Sequence, residues 1–212
     1  MDLEPEELAL LLDRAIEMKS SGENLSGCPL MGKSVGILFE KASTRTRVSF
    51  EVGIYQLGGQ SIFLSPRDVH LSRGEPLSDT ARVLSRYLSA LVVRTYSQET
   101  VEILAEYSSV PVINALTDLT HPCQALADLM TIKENRDSLQ GTKVAWLGDG
   151  NNVANSLIIG CSMAGIDLTL ACPEGYDPDT RFLEEGISRA ERSGGSVQIL
   201  RDPVQACREA HF

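Results

Sequence analysis

Two short stretches carry the residues best suited to chemistry. In the first, the apolar run SVGILFE passes into KASTRTRVSFE, so Ser43, Thr44, Arg45 and Thr46 stand where a strand would give way to a helix. Hydroxyl residues are favoured at helix starts because they accept hydrogen bonds from backbone N–H groups there. The same end of a helix presents amides and the positive pole of the helix dipole, which together attract an anion. Ser43, Thr44 and Thr46 add hydroxyl donors, and Arg45 adds a guanidinium able to grip a phosphate through two parallel hydrogen bonds. The competing explanation is an ordinary N-cap followed by a solvated basic turn. Arg47 fits that explanation, since Glu51 lies one helical turn further on.

The second stretch is HPCQALAD. Proline is favoured as the first residue inside a helix, which leaves His121 at the cap and Gln124 in the first turn. Arg94 ends the apolar run ALVVR. In an open α/β sheet, ligands collect at the carboxyl ends of the strands, where the Ser43 turn, Arg94 and the His121 loop would all open. Taken singly, His121 reads as a capping histidine, Gln124 as a solvated amide and Arg94 as an ion-pair partner.

The elements that must position these residues alternate regularly. After an amphipathic helix around PEELALLLDRAIEMKS come strand SVGILF, a helix from about Thr44, strand QSIFL, a helix at SDTARVLSRYL, strand ALVVR, helix SQETVEILAEY, strand VPVIN and a helix from HPCQALADL. That β–α–β rhythm predicts a mostly parallel sheet. The polar segment KENRDSLQGTK then precedes a fresh apolar strand, VAWLG, which sets a boundary between residues 138 and 139. The helix before it is long enough to bridge both domains. Helix NVANSLIIGCSMAG, strand IDLTLA, a helix near DTRFLEEGISRAERS, strand SVQIL and a helix start at PVQACREA follow. The fold class is therefore α/β: a parallel-sheet domain over 1–138 and an incomplete second α/β, Rossmann-like domain over 139–212.

WLGDGNNVANSL has the strand, glycine turn and helix of a dinucleotide site, at Gly148 and Gly150. The third glycine is absent, however, and no acidic residue is well placed after the next strand to hold a ribose. A nicotinamide-dependent dehydrogenase is accordingly a rival of low weight.

Hydrophobic residues make up 42% of the 212-residue chain and charged ones 23%, a globular rather than a disordered profile. The formal net charge of −10 argues against a nucleic-acid partner and requires any anionic ligand to find a local basic pocket. No apolar run approaches the ~18 residues that span a bilayer, and the acidic start MDLEPEEL lacks the order of a secretory signal, so the expected place is the cytoplasm with no membrane partner. Cys28, Cys123, Cys161, Cys172 and Cys207 are scattered, odd in number and without a Cys-x-x-Cys pair. They read as reduced, buried small hydrophobes, with neither disulfides nor zinc indicated.

Longer strings narrow the function. FEKASTRTRVSFE resembles the carbamoyl-phosphate signature of the transcarbamoylases, HPCQALAD their His-Pro-x-Gln element, and VVRTY their strand-end arginine. The resemblance implies that Ser43, Thr44, Arg45 and Thr46 bind phosphate, Thr46 also reaching the carbamoyl oxygen. It assigns Arg94 and His121 to polarising the carbamoyl carbonyl and Gln124 to the carbamoyl NH2, roles that match their donors and acceptors. It also places the residue corresponding to His70, in the loop LSPRDVHLSRGEPLSD, in a neighbouring subunit's carbamoyl-phosphate site, hence a homotrimer or a multiple of trimers.

Within the aspartate/ornithine family, GDGNN, FEK and HPCQxLAD are closer to the ornithine enzymes, in which Asn152 would contact the amino-acid end of ornithine. The implied reaction carbamoylates the δ-amine of L-ornithine to give citrulline, with no metal or cofactor. A transcarbamoylase for another amine and a non-catalytic carbamoyl-phosphate-binding module are the alternatives. The family's Asp-x-x-x-Ser-Met-Gly element and His-Cys-Leu-Pro loop would follow Phe212, so the chain reads as a fragment or truncated form, expected to bind carbamoyl phosphate without appreciable turnover.

Overall fold

In the computed structural model, residues 3–21, 28–65 and 74–212 are described, and they form two compact units: residues 21–119, and residues 120–212 joined by the N-terminal residues 1–20. His70 lies outside the described residues.

The first unit is built on a four-stranded parallel sheet in the order β2-β1-β3-β4, from β1 (Ser34–Phe39), β2 (Gln60–Leu64), β3 (Ala90–Arg94) and β4 (Val112–Leu116). Helices α2 (Thr44–Gln56), α3 (Leu77–Leu84) and α4 (Gln98–Tyr107) connect the strands. Strands covered on both faces need an unbroken apolar sequence, and β1 and β3 meet that demand with SVGILF and ALVVR. The two-residue period of a strand divides their side chains between two cores. Leu38, Leu91 and Val93 pack with Ala81, Val101 and Leu104 of α3 and α4, whereas Val35, Ile37, Phe39 and Val92 pack with Ile54 of α2. The same period carries Arg94 to the α2 face, opposite Phe39 in the β1–β3 register.

Two expected elements differ in extent. The helix at SDTARVLSRYL stops at Leu84, where the Ser85 hydroxyl donates to the Ala81 carbonyl and the chain turns through Arg86 and Tyr87. The strand expected at VPVIN is shifted to Val112–Leu116. Pro111 has no N–H for the ladder and serves only as acceptor for Leu91, while an irregularity between Val93 and Arg94 shifts the register and brings Arg94 opposite Leu116.

The second unit has a three-stranded parallel sheet, β5-β6-β7, formed by β5 (Lys143–Leu147), β6 (Asp167–Ala171) and β7 (Ser196–Leu200). Its central helix α6 (Asn152–Met163) is buried nearly all round, as a helix that is apolar on every side must be. Helices α7 (Thr180–Ser193) and α8 (Pro203–Cys207) complete the β–α alternation. Helices α1 (Pro5–Ser21) and α5 (Pro122–Asn135) precede the expected boundary at 138 and 139, yet both pack in this unit: Leu8, Leu12, Leu129 and Ile132 join one core with Ile158, Leu168 and Leu170. Lys19–Glu134 and Lys133–Asp13 ion pairs border that contact.

The cysteines are all free thiols, and Cys161 and Cys172 are buried as expected. Burial pushes the Cys161 thiol well up from its ordinary value. The other three differ from that expectation: Cys28 and Cys123 are half-buried, and Cys207 is exposed, because the five-residue α8 turns Ala206 inward and leaves Cys207 on the outer side. No helix among the described residues is long and apolar enough to cross a membrane.

Leu129 is completely buried beneath Gly160. Leu129→Ala is expected to lower stability by about 2–5 kcal/mol through lost burial and the cavity left behind, measured as a shifted urea midpoint by circular dichroism.

Candidate active site

Strand β1 ends at Phe39 and α2 begins at Thr44, so the turn Glu40–Ser43 delivers the N-terminus of α2 to the carboxyl edge of the first sheet. Ser43 is the N-cap, with extended backbone (φ −160°, ψ 114°), and its hydroxyl accepts from the Thr46 amide at 3.4 Å. Ser43 Oγ in turn donates to Thr46 Oγ1 at 2.9 Å. Arg94 reaches the same oxygen, Nη1 donating at 3.5 Å, while its Nε donates to the Lys41 carbonyl at 3.2 Å. A hydroxyl oxygen that accepts two bonds still has its own O–H to give to a ligand. Ser43, Thr46 and Arg94 are thus brought together, as expected, on one edge of one unit.

Thr44 and Arg45 are exposed in the first turn of α2, beside the amides that helix geometry leaves without an intrahelical acceptor. Arg47 has the structural role expected of it: Nε is 2.9 Å from Glu51 and the guanidinium stacks 3.6 Å above the Phe63 ring. Partial burial lowers the Arg94 proton affinity from its ordinary value, although a guanidinium in that range remains charged at neutral pH.

Around this cluster lie two pairs that sequence reasoning missed. Lys41 Nζ is 2.7 Å from the Asp118 carboxylate and 5.2 Å from the centre of the Tyr96 ring. The buried Thr95 hydroxyl donates to the Glu40 carboxylate. These partners are 77 and 55 residues apart, and no local pattern in the sequence announces them.

The remaining site residues belong to the other unit. His121 caps α5 ahead of Pro122, as its sequence position predicts, with its backbone N–H donating to Ser156 Oγ at 2.8 Å. Gln124 is exposed in the first turn, and its amide donates to Asp128 at 2.9 Å. Asn152 opens α6, immediately after the N-cap Asn151, whose side chain accepts from the Val153 and Ala154 amides at 2.9 and 3.2 Å.

The glycine turn before α6 is filled by the protein itself. A Cβ on Gly150 would stand 2.0 Å from the Pro178 nitrogen, and the Gly150 N–H donates to the Tyr176 carbonyl at 2.7 Å. Arg201, the residue after β7, fastens that loop, bonding both oxygens of Asp177 at 2.5 and 2.8 Å and the Cys172 carbonyl at 2.8 Å. The arginine holds the Asp177 carboxyl below the usual carboxylate range. Close backbone contact therefore accounts for Gly150, where a dinucleotide turn would use the space for pyrophosphate.

Comparison with known proteins shows the family of the chain. The family model for the aspartate/ornithine carbamoyltransferase carbamoyl-P binding domain matches residues 1–134, and that for the Asp/Orn binding domain matches residues 140–212. The chain belongs to the aspartate/ornithine carbamoyltransferase family. An ornithine carbamoyltransferase of Desulfotalea psychrophila is 54% identical over 207 residues, covering 97% of this chain and 67% of the relative. That of Halalkalibacterium halodurans is 50% identical over 211 residues, covering 99% and 66%. Among solved structures, the ornithine carbamoyltransferase from Pyrococcus furiosus superposes with a TM-score of 0.95 at 47% identity, covering 99% of this chain and 67% of that one. The chain thus spans about two thirds of the length of the relatives it matches.

Gly150→Ala is expected to cost about 1–3 kcal/mol by forcing the Asp177–Pro178 backbone away, with a lowered thermal midpoint as the readout.

Proposed function

We propose that the chain provides the carbamoyl-phosphate site, and part of the amine site, of an enzyme that transfers the carbamoyl group of carbamoyl phosphate to the δ-amine of L-ornithine, giving L-citrulline and phosphate. The observation that carries this reading is the convergence of Ser43, Thr46 and Arg94 at the first turn of α2. The family membership supports carbamoyl transfer, and the relatives named as ornithine carbamoyltransferases support ornithine as the acceptor.

In this reading the division at 138/139 separates the carbamoyl-phosphate domain from the start of the ornithine domain. Ser43, Thr44, Arg45 and Thr46 hold the phosphate. Arg94 and His121 donate to the carbamoyl oxygen, Gln124 accepts from the carbamoyl NH2, and Asn152 serves the amino-acid end of ornithine. The uncharged δ-amine attacks the carbamoyl carbon through its lone pair. The carbonyl oxygen takes up negative charge, the carbon–oxygen bond to phosphate breaks as the carbonyl re-forms, and the nitrogen gives up one proton to the departing phosphate. Holding two reactants in attack geometry lowers a barrier by about 7–11 kcal/mol in favourable cases. Donors aimed at the developing oxyanion contribute about 3–4 kcal/mol each. The chemistry proposed needs no metal or cofactor, and a cytoplasmic site fits its small, soluble reactants.

Self-association belongs to the same reading. Val48, Val52 and Tyr55 form an exposed apolar stripe at helical spacing on α2, the helix that carries the phosphate turn. We assign that face to contact between copies of the chain in a homotrimer or a multiple of trimers, with His70 entering a neighbour's site. Val52→Asp is expected to lower the oligomeric order seen by sedimentation; an unchanged sedimentation coefficient would remove α2 from the interface.

The reading is tested with isotope-labelled carbamoyl phosphate offered with L-ornithine, L-aspartate or putrescine. Labelled citrulline supports ornithine, another labelled product reassigns the acceptor, and tight binding without any product favours a binding module. Arg45→Ala should weaken carbamoyl phosphate binding roughly tenfold to a hundredfold, the usual consequence of losing a charge-assisted pair worth about 1.5–3 kcal/mol. Calorimetry showing unchanged affinity would remove Arg45 from the site.

A further inference from the structure

The ends of β1 and β3 are joined by more than their ladder. The Arg94 carbonyl accepts from the Glu40 amide at 2.8 Å and from the Lys41 amide at 3.3 Å. The Arg94 side chain returns to the same segment, Nε donating to the Lys41 carbonyl at 3.2 Å. Next along the chain, Thr95 donates its hydroxyl to the Glu40 carboxylate, and its own amide donates to the Leu116 carbonyl at 3.0 Å. Thr95 is only 1% exposed, so its hydroxyl meets Glu40 from a packed interior position. Glu40 is itself exposed, and the contact acts by fixing geometry more than by charge, which water screens.

A guanidinium on a flexible stem loses rotamer freedom when it is aimed, and that loss opposes binding unless it is met before the ligand arrives. With the Nε direction set by the Lys41 carbonyl, Nη1 falls 3.5 Å from Thr46 Oγ1, at the helix start assigned to phosphate. If the Glu40–Lys41 segment were to shift, the carbonyl that orients Arg94 would shift with it.

We propose that Thr95 is a positioning residue for carbamoyl-phosphate recognition: its buried hydroxyl, bonded to Glu40, locks the Glu40–Lys41 segment against β3 and so aims the Arg94 guanidinium at the first turn of α2. This rests on the reading of Arg94 as a carbamoyl ligand. Thr95 touches no substrate and acts through Glu40, Lys41 and Arg94.

The test is a double-mutant cycle read by calorimetry with two probes, carbamoyl phosphate and inorganic phosphate. Thr95→Val keeps the shape and deletes the donor. It should weaken carbamoyl phosphate by about three- to tenfold, the range for one lost hydrogen bond, and inorganic phosphate by much less, since Ser43–Thr46 would remain in place. Thr95→Ser should restore the affinity. In an Arg94→Ala background, Thr95→Val should cost nothing further, because residues that act through one group are not additive. Circular dichroism melts establish that each variant is folded; if Thr95→Val unfolds, Glu40→Ala replaces it in the cycle. Equal binding by wild type and Thr95→Val overturns the positioning role while leaving the carbamoyl-phosphate reading intact. An equal loss in both backgrounds, or an equal loss for both probes, also overturns it. Absence of carbamoyl phosphate binding by the wild-type chain would overturn the underlying reading together with the proposal.

Discussion

The parallel pairing of β1 with β3 is the constraint on which the candidate site depends. It sets Phe39 opposite Arg94 at the carboxyl edge of the sheet, so the chain leaving β1 and the last side chain of β3 meet in space. Everything local to the site follows from that register. The turn after Phe39 opens α2, Ser43 caps it, and the two-residue period of β3 presents Arg94 to the α2 face. A one-residue slip would send Arg94 to the opposite face, among α3 and α4. The register is protected because both strands are buried on both sides, by Leu38, Leu91 and Val93 on one face and Ile37 and Val92 on the other.

Charge is distributed around that edge with unequal commitments. Lys41 is paired with Asp118 and Arg47 with Glu51, while Arg94 is held by the Lys41 carbonyl and Thr46. Among the described residues, Arg45 makes no ion pair, although it lies in the first helical turn where the dipole and the amides already favour an anion. A chain with a formal charge of −10 can therefore present a local anion site, because the first turn of one helix combines a guanidinium, hydroxyls and amides within a few residues.

The second unit shows how a familiar local pattern can serve packing instead. Its strand, glycine turn and helix have the outline of a dinucleotide site, yet the Asp177–Pro178 backbone fills the space beside Gly150, and Asn151 already caps the first amides of α6. Arg201 secures the filling loop through Asp177. The glycine is needed for contact with protein backbone.

The amino-acid sequence by itself determined the order of strands and helices, because unbroken apolar runs, helical periodicity, Pro122 inside a helix and hydroxyls before one are local signals with local physical causes. It also determined the turn that opens α2, since Ser43, Thr44, Arg45 and Thr46 are consecutive, and the cap position of His121. Tertiary structure decided what depends on distant partners. It grouped α1 and α5 with the second sheet, because their buried leucines find Ile158 and Leu168 there. It shifted β4 past Pro111, which cannot donate to the ladder, and it turned Cys207 outward on a helix too short to bury both sides. It joined Thr95 to Glu40 and Lys41 to Asp118, pairs separated by 55 and 77 residues. Such contacts are set by strand register and crossover, which bring together residues that no window along the chain contains.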